Sequence, residues 1–312
     1  IAVFDNSDNK ICDVDASKMA AQNLGNKKYT VGVLSDTHTA ASTSSDSAVD
    51  LTRAVKYLSD NAEMMCVCGD LCNSNDGGEL ETHKEIVNAN KGTMYVFEMP
   101  GNHEHYSSVN DAYTSWTDEQ IKQYTGYPLY YTVSNQVTDE AARNYYCETV
   151  GDNDVFIMCG NTGWTSAFND ESIQWLYETL ETNRNKRCFL FVHPFLNAPI
   201  YCGDSLDVLT WDGIGNYKTV FISLLKHYKN VIYFHGHSHE MLQMQDYLKR
   251  LPNPLPANYD FVNGTHSVHI PSLAVSRDIS SGDRVDKAAT SQGYLMDVYE
   301  NHIILKGRDF VA

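Results

Sequence analysis

Residues 29–38 read YTVGVLSDTH, a strand-forming run that ends in a turn carrying Asp36 and His38. The same arrangement recurs twice downstream, where predicted strands end in Gly-Asp and in Gly-Asn-His. Between these strands, apolar residues recur at helical spacing over residues 47–58 and 79–90. The alternation of strands and helices implies crossover connections, and it predicts a parallel sheet covered by helices. Ligands of such sheets gather beyond the carboxyl ends of the strands.

The middle of the chain has a different character. Residues 129–134, 144–150 and 154–159 read as strands separated by turn residues, which predicts an antiparallel meander or a second sheet. The later predicted elements are a helix at 170–182, a strand at 188–192, a helix at 218–228, and strands at 231–234, 267–270, 294–299 and 302–305. We therefore expect one domain with two sheets at residues 29–312, preceded at residues 1–28 by a polar leader or small appended segment.

Length and charge exclude several functional classes. With 312 residues, 42% of them hydrophobic, the chain can bury one large core or two modest ones, and it has no apolar run long enough to span a membrane. A formal net charge of −17 argues against nucleic-acid binding as a main role, because that binding depends on Lys and Arg. The chain begins with Ile1 and shows no signal peptide, so we expect a trimmed fragment whose compartment is open.

The eight cysteines favour buried thiols over disulfides. Cys66 and Cys68 alternate within an apolar strand, so both side chains lie on one buried face and cannot easily bridge each other. A zinc knuckle is not expected, because Cys66, Cys68 and Cys72 lack a second pair of ligands at matching spacing.

Five short patches carry groups that bind divalent metals, namely imidazole, carboxylate and an amide oxygen. The patches are Asp36-Thr37-His38, Gly69-Asp70, Gly101-Asn102-His103-Glu104, Val192-His193-Pro194 and Gly236-His237-Ser238-His239. Most follow a hydrophobic strand. They supply more ligands than one ion needs, and the two oxygens of Asp70 suit a bridge between two ions. The seven candidate ligands are Asp36, His38, Asp70, Asn102, His193, His237 and His239.

A site that holds two such ions indicates an enzyme that hydrolyses a phosphate ester. Two ions that share Asp70 would hold a water between them and acidify it to hydroxide, the expected nucleophile. His103, next to the ligand Asn102, would then protonate the leaving oxygen or hydrogen-bond to the phosphoryl group. Asp70 and His103 are therefore the candidate catalytic residues.

The order of these blocks resembles the calcineurin-like metallophosphoesterase superfamily, whose pattern is D-x-H, G-D, G-N-H-D/E, H and G-H-x-H. The resemblance runs from about Tyr29 to the C-terminus. It implies a four-layer α-β-β-α sandwich, an α/β fold in which two mixed sheets pack face to face. It also implies His103 as the catalytic histidine and two ions of Mn, Fe or Zn. One ion would take Asp36, His38, Asp70 and His239, and the other Asp70, Asn102, His193 and His237.

Two positions bear on the branch of the superfamily. His38 and Asn73 stand where purple acid phosphatases have another residue and a tyrosine ligand. The blocks therefore resemble the cyclic-nucleotide phosphodiesterase-like and broad phosphodiesterase branches more closely. The expected function is a phosphodiesterase or phosphatase acting on a phosphate-ester substrate. The alternatives are the phosphoesterase module of a larger envelope or phage-structural protein that acts on surface phosphodiester polymers, and a catalytically silent scaffold of the same fold.

Residues around the blocks are candidates for substrate contact. Asn73, His105 and His235 lie beside the blocks, and residues 197–215 form a candidate specificity loop. The other histidines, His83 among them, are expected to be surface or packing residues. The 20 tyrosines are more simply strand packing than an aromatic wall for a nucleoside or sugar.

Overall fold

The computed structural model confirms an α/β fold of two mixed sheets with helices on the outside. It describes residues 2–3, 25–75, 78–108, 112–113, 144–196, 214–239, 241–242, 266–276 and 290–311. The predicted strand at 129–134 and residues 197–213 of the candidate specificity loop lie outside this part of the chain.

The first sheet has six strands in the order β1-β13-β12-β2-β3-β4. Its members are β1 (Ala2–Val3), β2 (Lys27–Leu34), β3 (Met64–Cys68), β4 (Tyr95–Met99), β12 (Gln292–Tyr299) and β13 (Ile303–Asp309). Strands β2, β3 and β4 are parallel, whereas β12 is antiparallel to both of its neighbours. Helices α1 (Asp46–Asn61) and α2 (Glu79–Asn90) supply the two crossovers.

The second sheet has five strands in the order β11-β10-β9-β8-β7. Its members are β7 (Tyr145–Val150), β8 (Asp154–Cys159), β9 (Arg187–Val192), β10 (Val231–His235) and β11 (His266–His269). Helices α3 (Asp170–Thr182) and α4 (Lys218–His227) connect β8 to β9 and β9 to β10. A small separate hairpin pairs β5 (Tyr106–Ser107) with β6 (Ala112–Tyr113).

Three apolar layers hold the sandwich together. One lies between the first sheet and helices α1 and α2, and another between the second sheet and helices α3 and α4. The third lies between the sheets, where Phe97 of β4 stacks on Phe156 of β8 with ring centroids 5.7 Å apart. Burial of aromatic side chains of this size is a main source of folding free energy.

Local sequence explains how α1 packs on the first sheet. The hydroxyl of Ser45 accepts a hydrogen bond from the amide of Ala48 at 3.3 Å and so caps the helix. Gly32 in β2 faces Leu58 of α1, and a Cβ at Gly32 would lie 2.6 Å from a methyl group of Leu58. The glycine therefore lets the helix approach the strand closely.

The predicted helices and strands within the described residues are present, with ends shifted by at most a few residues. The antiparallel pairing predicted for residues 144–150 and 154–159 is confirmed by β7 and β8, whereas the third strand of the predicted meander, residues 129–134, lies outside the described residues; on its other side β8 pairs with β9 in parallel. The alternative, a second sheet, is correct. The first core strand begins at Lys27, and Ala2–Val3 pairs with β13 in the first sheet. The division of the chain at residue 29 stays a prediction.

Two further expectations concern membranes and thiols. None of the helices in the described ranges has the length and apolar character that a membrane span requires. The six cysteines within those ranges are free thiols, and Cys66 and Cys68 share the buried layer between the sheets. Cys12 and Cys202 lie outside the described residues.

Candidate metal centre

The five patches converge where the carboxyl ends of strands from both sheets meet. Asp36 and Asp70 follow β2 and β3 of the first sheet, whereas His193 and His239 follow β9 and β10 of the second. Nε2 of His193 lies 3.0 Å from Oδ2 of Asp70, and Nε2 of His239 lies 3.0 Å from Oδ1 of Asp36. The site therefore spans the junction between the sheets.

Backbone hydrogen bonds fix the two loops of the first sheet to each other. The amide of Asp36 donates to the carbonyl of Gly69 at 3.1 Å, and the amide of His38 donates to the carbonyl of Asp70 at 3.0 Å. The hydroxyl of Ser35 adds a bond to the carbonyl of Cys68. The two loops extend the parallel pairing of β2 and β3 beyond the strands, which sets the spacing of their side chains.

Five of the seven candidate ligands have left-handed backbone conformations. The φ angles of these five are 53° at Asp36, 42° at His38, 50° at Asp70, 68° at His237 and 59° at His239. Positive φ is uncommon for residues other than glycine and costs free energy, although Asp and His adopt it more readily than most. Its concentration at one site is typical of a functional constraint, because strain persists where the surroundings over-determine it.

Glycines leave room for the ligands. A Cβ on Gly236 would collide with the hydroxyl of Ser35 and a carboxylate oxygen of Asp36, and a Cβ on Gly101 would collide with Asp70. Gly69 has a φ of 79° and lies against the ring of His193. The chain therefore needs glycine beside each carboxylate.

Main-chain carbonyls orient two of the imidazoles. Nδ1 of His193 donates to the carbonyl of Cys68 at 2.6 Å, and Nδ1 of His239 donates to the carbonyl of Val275 at 2.9 Å. In each ring Nε2 is thereby directed at the carboxylates. Outer contacts of this kind select the tautomer and the orientation of metal-binding histidines.

The charges at the site suit cations. Burial alone would raise the pKa values of Asp36 and Asp70, but the facing histidines outweigh burial and hold both carboxyls below their usual range. Burial lowers the pKa of His38 well below its usual value and that of His237 to about 4, so both rings are neutral. Burial opposes charge on His193 too, yet Asp70 and Asp36 raise its pKa to about 9. The two carboxylates therefore attract positive charge into a buried space.

Two groups of side chains have the spacing of a metal site, and they share Asp70. The first comprises Asp36, His38, Asp70 and His239, and the second Asp70, His193 and His237, with the ligand atoms of each group within 4.8 Å of one another. Asn102 stands in the chain between Gly101 and His103, both of which contact Asp70, and its Oδ1 is buried without a hydrogen-bond partner among the described residues. A buried oxygen without a hydrogen-bond partner is available to bind a metal ion. The residues present therefore fit a pair of metal ions.

His103 lies next to this cluster and is held at two atoms. Its amide donates to Oδ1 of Asp70 at 3.0 Å, and its Nδ1 donates to the carbonyl of Asn73 at 2.8 Å. The centroid of its ring lies 4.7 Å from that of His38, nearly perpendicular to it. Nε2 is therefore the atom of His103 available for proton transfer.

Buried Glu104 fastens the loop that carries Asn102 and His103. Oε2 of Glu104 accepts from the amide of Gly101 at 2.6 Å, and Oε1 accepts from the amide of Cys72 at 3.0 Å. Burial, with Asp70 nearby, raises the pKa of Glu104. This side chain joins the third patch to the second.

The candidate substrate residues occupy different environments. Asn73 is exposed, and its Nδ2 donates to the carbonyl of His38 at 3.1 Å. His105 is only 1% exposed and its Nε2 donates to the carbonyl of Asn161, so it holds two loops together. His235 is half-buried beside His269, with ring centroids 5.5 Å apart, and burial lowers its pKa to about 3.

Several supporting contacts have no signal in the sequence. Of the two roles expected for His83, surface or packing, packing is correct: it is buried in α2, where Nε2 lies 2.9 Å from Oε1 of Glu98 and Nδ1 lies 3.0 Å from the hydroxyl of Thr39. The carbonyl of Val275 and the ring of Trp164, which lies beside His103, belong to loops without periodicity. Only the tertiary structure brings them to the site.

Comparison with known proteins agrees with this geometry. The sequence model described as calcineurin-like phosphoesterase matches residues 29–241, which include all five patches. The chain belongs to this family. Calcineurin-like phosphoesterases use a dinuclear metal centre, and the two groups that share Asp70 correspond to that arrangement. No curated protein matches the chain in sequence.

Solved structures with this family fold align with most of the chain. A dimetal phosphatase from Danio rerio has 14% identity and a TM-score of 0.56, covering 92% of this chain and 98% of its own. GAP50, described as the anchor in the inner membrane complex of Plasmodium, has 13% identity and a TM-score of 0.57, covering 91% and 85%. The purple acid phosphatase PPD1 from yellow lupin (Lupinus luteus) seeds has 14% identity and a TM-score of 0.55, covering 92% and 52%. At these identities the likeness shows the fold alone.

Proposed function

We propose that this calcineurin-like phosphoesterase is a metal-dependent phosphoric ester hydrolase with a preference for phosphodiesters over monoesters. The observation that carries the proposal is the pair of ligand groups that share Asp70, with the ring of His103 beside them. The arrangement brings together two negatively charged carboxylates, the neutral imidazoles of His38 and His237, and a side chain able to transfer a proton.

The ligands divide between two ions as follows. One ion would be held by Asp36, His38, Asp70 and His239, and the other by Asp70, Asn102, His193 and His237. This mixture of imidazole, carboxylate and amide oxygen suits Mn, Fe or Zn. When bound, the two ions would stabilise the charge of the phosphoryl group as Lewis acids. They would also lower the pKa of a bound water enough for it to lose a proton near neutral pH.

The reaction is hydrolysis, in which water adds to phosphorus and gives up one proton to the solvent, the ester P–O bond breaks, and the leaving oxygen gains a proton. In its doubly protonated form His103 donates that proton from Nε2, because its Nδ1–H is hydrogen-bonded to the carbonyl of Asn73. The amide of His103 holds Asp70, so the proton donor and the shared carboxylate are fixed relative to each other. Correct placement of both groups accounts for much of the rate enhancement in such sites.

The test measures metal content first and turnover second. Manganese-loaded protein is assayed with bis(p-nitrophenyl) phosphate and p-nitrophenyl phosphate, and we expect faster hydrolysis of the diester. Asp70→Asn serves as the matched inactive control. Absence of turnover of both esters in protein that holds both ions would overturn the proposal.

One comparison favours a second candidate, a catalytically silent scaffold. GAP50, described as an anchor, shares the fold at 13% identity, so fold alone does not fix the activity. Two metal ions bound without turnover would support this candidate. The proposal of a module within a larger envelope or phage-structural protein is tested separately, by reading the coding sequence upstream of Ile1.

A further inference from the structure

A polar pair is buried where α2 packs on the first sheet. His83 of α2 is 1% exposed and Glu98 of β4 is 3% exposed, and Nε2 of the imidazole lies 2.9 Å from Oε1 of the carboxylate. Strand alternation puts Glu98 on the same face of β4 as Val96, which belongs to the apolar layer under α1 and α2. Polar side chains in such a layer need each other as hydrogen-bond partners.

The other ring nitrogen of His83 faces the first patch. Nδ1 lies 3.0 Å from Oγ1 of Thr39 and 3.4 Å from Oγ1 of Thr37. In the chain these two threonines alternate with the candidate ligands Asp36 and His38. One imidazole therefore contacts the residues on both sides of His38.

The same threonines contact the residue that follows the second patch. Oγ1 of Thr37 donates to the carbonyl of Leu71 at 2.9 Å, and the amide of Thr39 donates to the same carbonyl at 2.8 Å. Farther along the segment, the carbonyl of Ala41 accepts a hydrogen bond from the hydroxyl of Thr82 in α2 at 2.8 Å. Helix α2 therefore holds the segment that follows β2 at more than one point.

These contacts occur where the backbone is strained. The φ angles of Asp36 and His38 are 53° and 42°, and such conformations persist only where surrounding contacts over-determine them. A buried polar pair such as His83 and Glu98 contributes little net stability compared with apolar side chains of the same size. The geometry that the pair imposes on the first patch explains its presence better than stability does.

We propose that His83 and Glu98 are positioning residues for the metal centre. His83 holds the two threonines of the first patch and so directs Asp36 and His38 at the ion that these ligands share, while Glu98 fixes the orientation of the imidazole. This inference rests on the metal pair of the proposed function, but not on the ester that is hydrolysed.

The test replaces both members by apolar side chains, because a single substitution would leave the other member buried without its partner. We expect the double variant His83→Leu/Glu98→Leu to unfold at a urea concentration close to that of the parent. Its affinity for one of the two manganese ions should fall about tenfold, as when supporting contacts of a metal site are lost. Tyr29→Phe is the control, because it removes the hydrogen bond from Tyr29 to Asp154 near the start of β2, and it should bind both ions as the parent does.

Calorimetric titration with manganese measures the two affinities, and His237→Ala assigns them. The binding step that weakens in His237→Ala belongs to the ion that His237 holds, so the loss in the double variant should fall on the other step. Unchanged affinities in the double variant, or equal losses at both steps, would overturn the proposal.

Two single variants test the route through the first patch, and they decide the matter if the double variant does not fold. Glu98→Gln retains a side chain that can pair with Nε2 of His83 and should keep the parent's affinities. Thr39→Val removes the hydroxyl that faces Nδ1 and should weaken the same step as the double variant does. Where the double variant folds, Thr39→Val added to it should cause little further loss, because residues that act together are not additive. Thr39→Val with the parent's affinities would contradict the proposed role of His83.

A parent protein that does not bind two ions would contradict the proposed function, and positioning is then measured without metal. The amides of Asp36, His38 and Thr39 are hydrogen-bonded to the second loop at 3.1, 3.0 and 2.8 Å, so their hydrogen exchange reports the order of the first patch. Faster exchange over residues 36–39 in the double variant than in Tyr29→Phe would support positioning by the pair. Equal exchange rates in the two variants would overturn it.

Discussion

Nδ1 of His103 lies 2.8 Å from the backbone carbonyl oxygen of Asn73, so a main-chain atom orients the imidazole. The amide of the same residue is held separately by Asp70. Ring and backbone are therefore anchored at different points of the second patch. Neither anchor needs the side chain of Asn73.

This relationship leads to a prediction about His103. We expect His103→Ala to keep both ions and to lose turnover by about 100- to 10,000-fold, the usual contribution of a general acid. Metal content is measured beside kcat on the same preparation. Asn73→Ala is the matched control, because it retains the carbonyl that orients the ring, and its loss should be far smaller. Equal activity of His103→Ala and the parent would remove His103 from the mechanism.

The shared ligand predicts different metal stoichiometries for two variants. Asp70→Asn should lose affinity for both ions, because Asp70 belongs to both ligand groups, whereas His237→Ala should affect one. Elemental analysis after dialysis against a fixed concentration of manganese gives the number of ions per chain. If His237→Ala and Asp70→Asn retain the same number, Asp70 does not bridge two sites.

Steric room beside Asp70 can be tested with one methyl group. Gly101→Ala would press a Cβ onto the amide and carboxylate of Asp70 and within 2.9 Å of the ring of His193. We expect metal affinity to fall about tenfold or more, as when supporting contacts of a metal site are lost. Gly163→Ala is the control, since a Cβ there meets nothing within 4 Å. Metal titration followed by fluorescence or calorimetry measures the metal affinity of both variants. Equal affinities would show that the loop carrying Gly101 can move to accommodate the methyl group without loss of metal binding.

Far from the site, Asp297 predicts a pH dependence of stability. Its side chain is 4% exposed on β12, and it binds Nζ of Lys27 at 2.8 Å, Nζ of Lys306 at 2.7 Å and the hydroxyl of Thr30 at 2.8 Å. Burial opposes ionisation, yet these hydrogen bonds hold the pKa of Asp297 below its usual value. The carboxylate therefore stabilises the fold above the unfolded-state pKa of about 3.9, and this contribution is lost as the pH falls through the folded-state pKa.

We expect Asp297→Asn to lower the free energy of unfolding at pH 7 by about 1–3 kcal/mol. The difference from the parent should shrink as the pH is lowered below about 4. Urea unfolding at a series of pH values measures it. A difference that stays constant down to the lowest pH would mean that ionisation of Asp297 plays no part.

The sequence predicted the first sheet well, because its signals are local. Apolar runs of strand length alternate with helical spacing between residues 29 and 103, and the carboxyl ends of parallel strands must meet at one edge. The pairing of β8 is a different matter. Its short run is compatible with either partner direction, and only the return of the chain through α3 makes it parallel to β9. Pairing direction is a property of the connection, not of the strand.

The candidate site divides in the same way. Asp36 and Asp70 are recognisable because a strand precedes each of them. By contrast, the burial of His83 depends on Glu98, and the place of Trp164 depends on the docking of its loop on Pro100. The sequence predicts substrate contact for His105 only because it lies beside the third patch, yet the 3₁₀ turn at His103–His105 carries its ring into the interior. Contacts between distant segments leave no trace in a single sequence.

Because the ligands come from both sheets, ion binding and sheet packing are coupled equilibria. Ions bound at Asp70 and His193 would hold the halves of the sandwich together at one edge, and by thermodynamic reciprocity the factor by which they strengthen the association of the halves equals the factor by which that association strengthens ion binding. Shortening the side chain of Phe156, which lies in the layer between the sheets, would therefore lower the ion affinity although Phe156 contacts none of the ligands named above. Ion affinity in this protein is a gauge of the integrity of its interior.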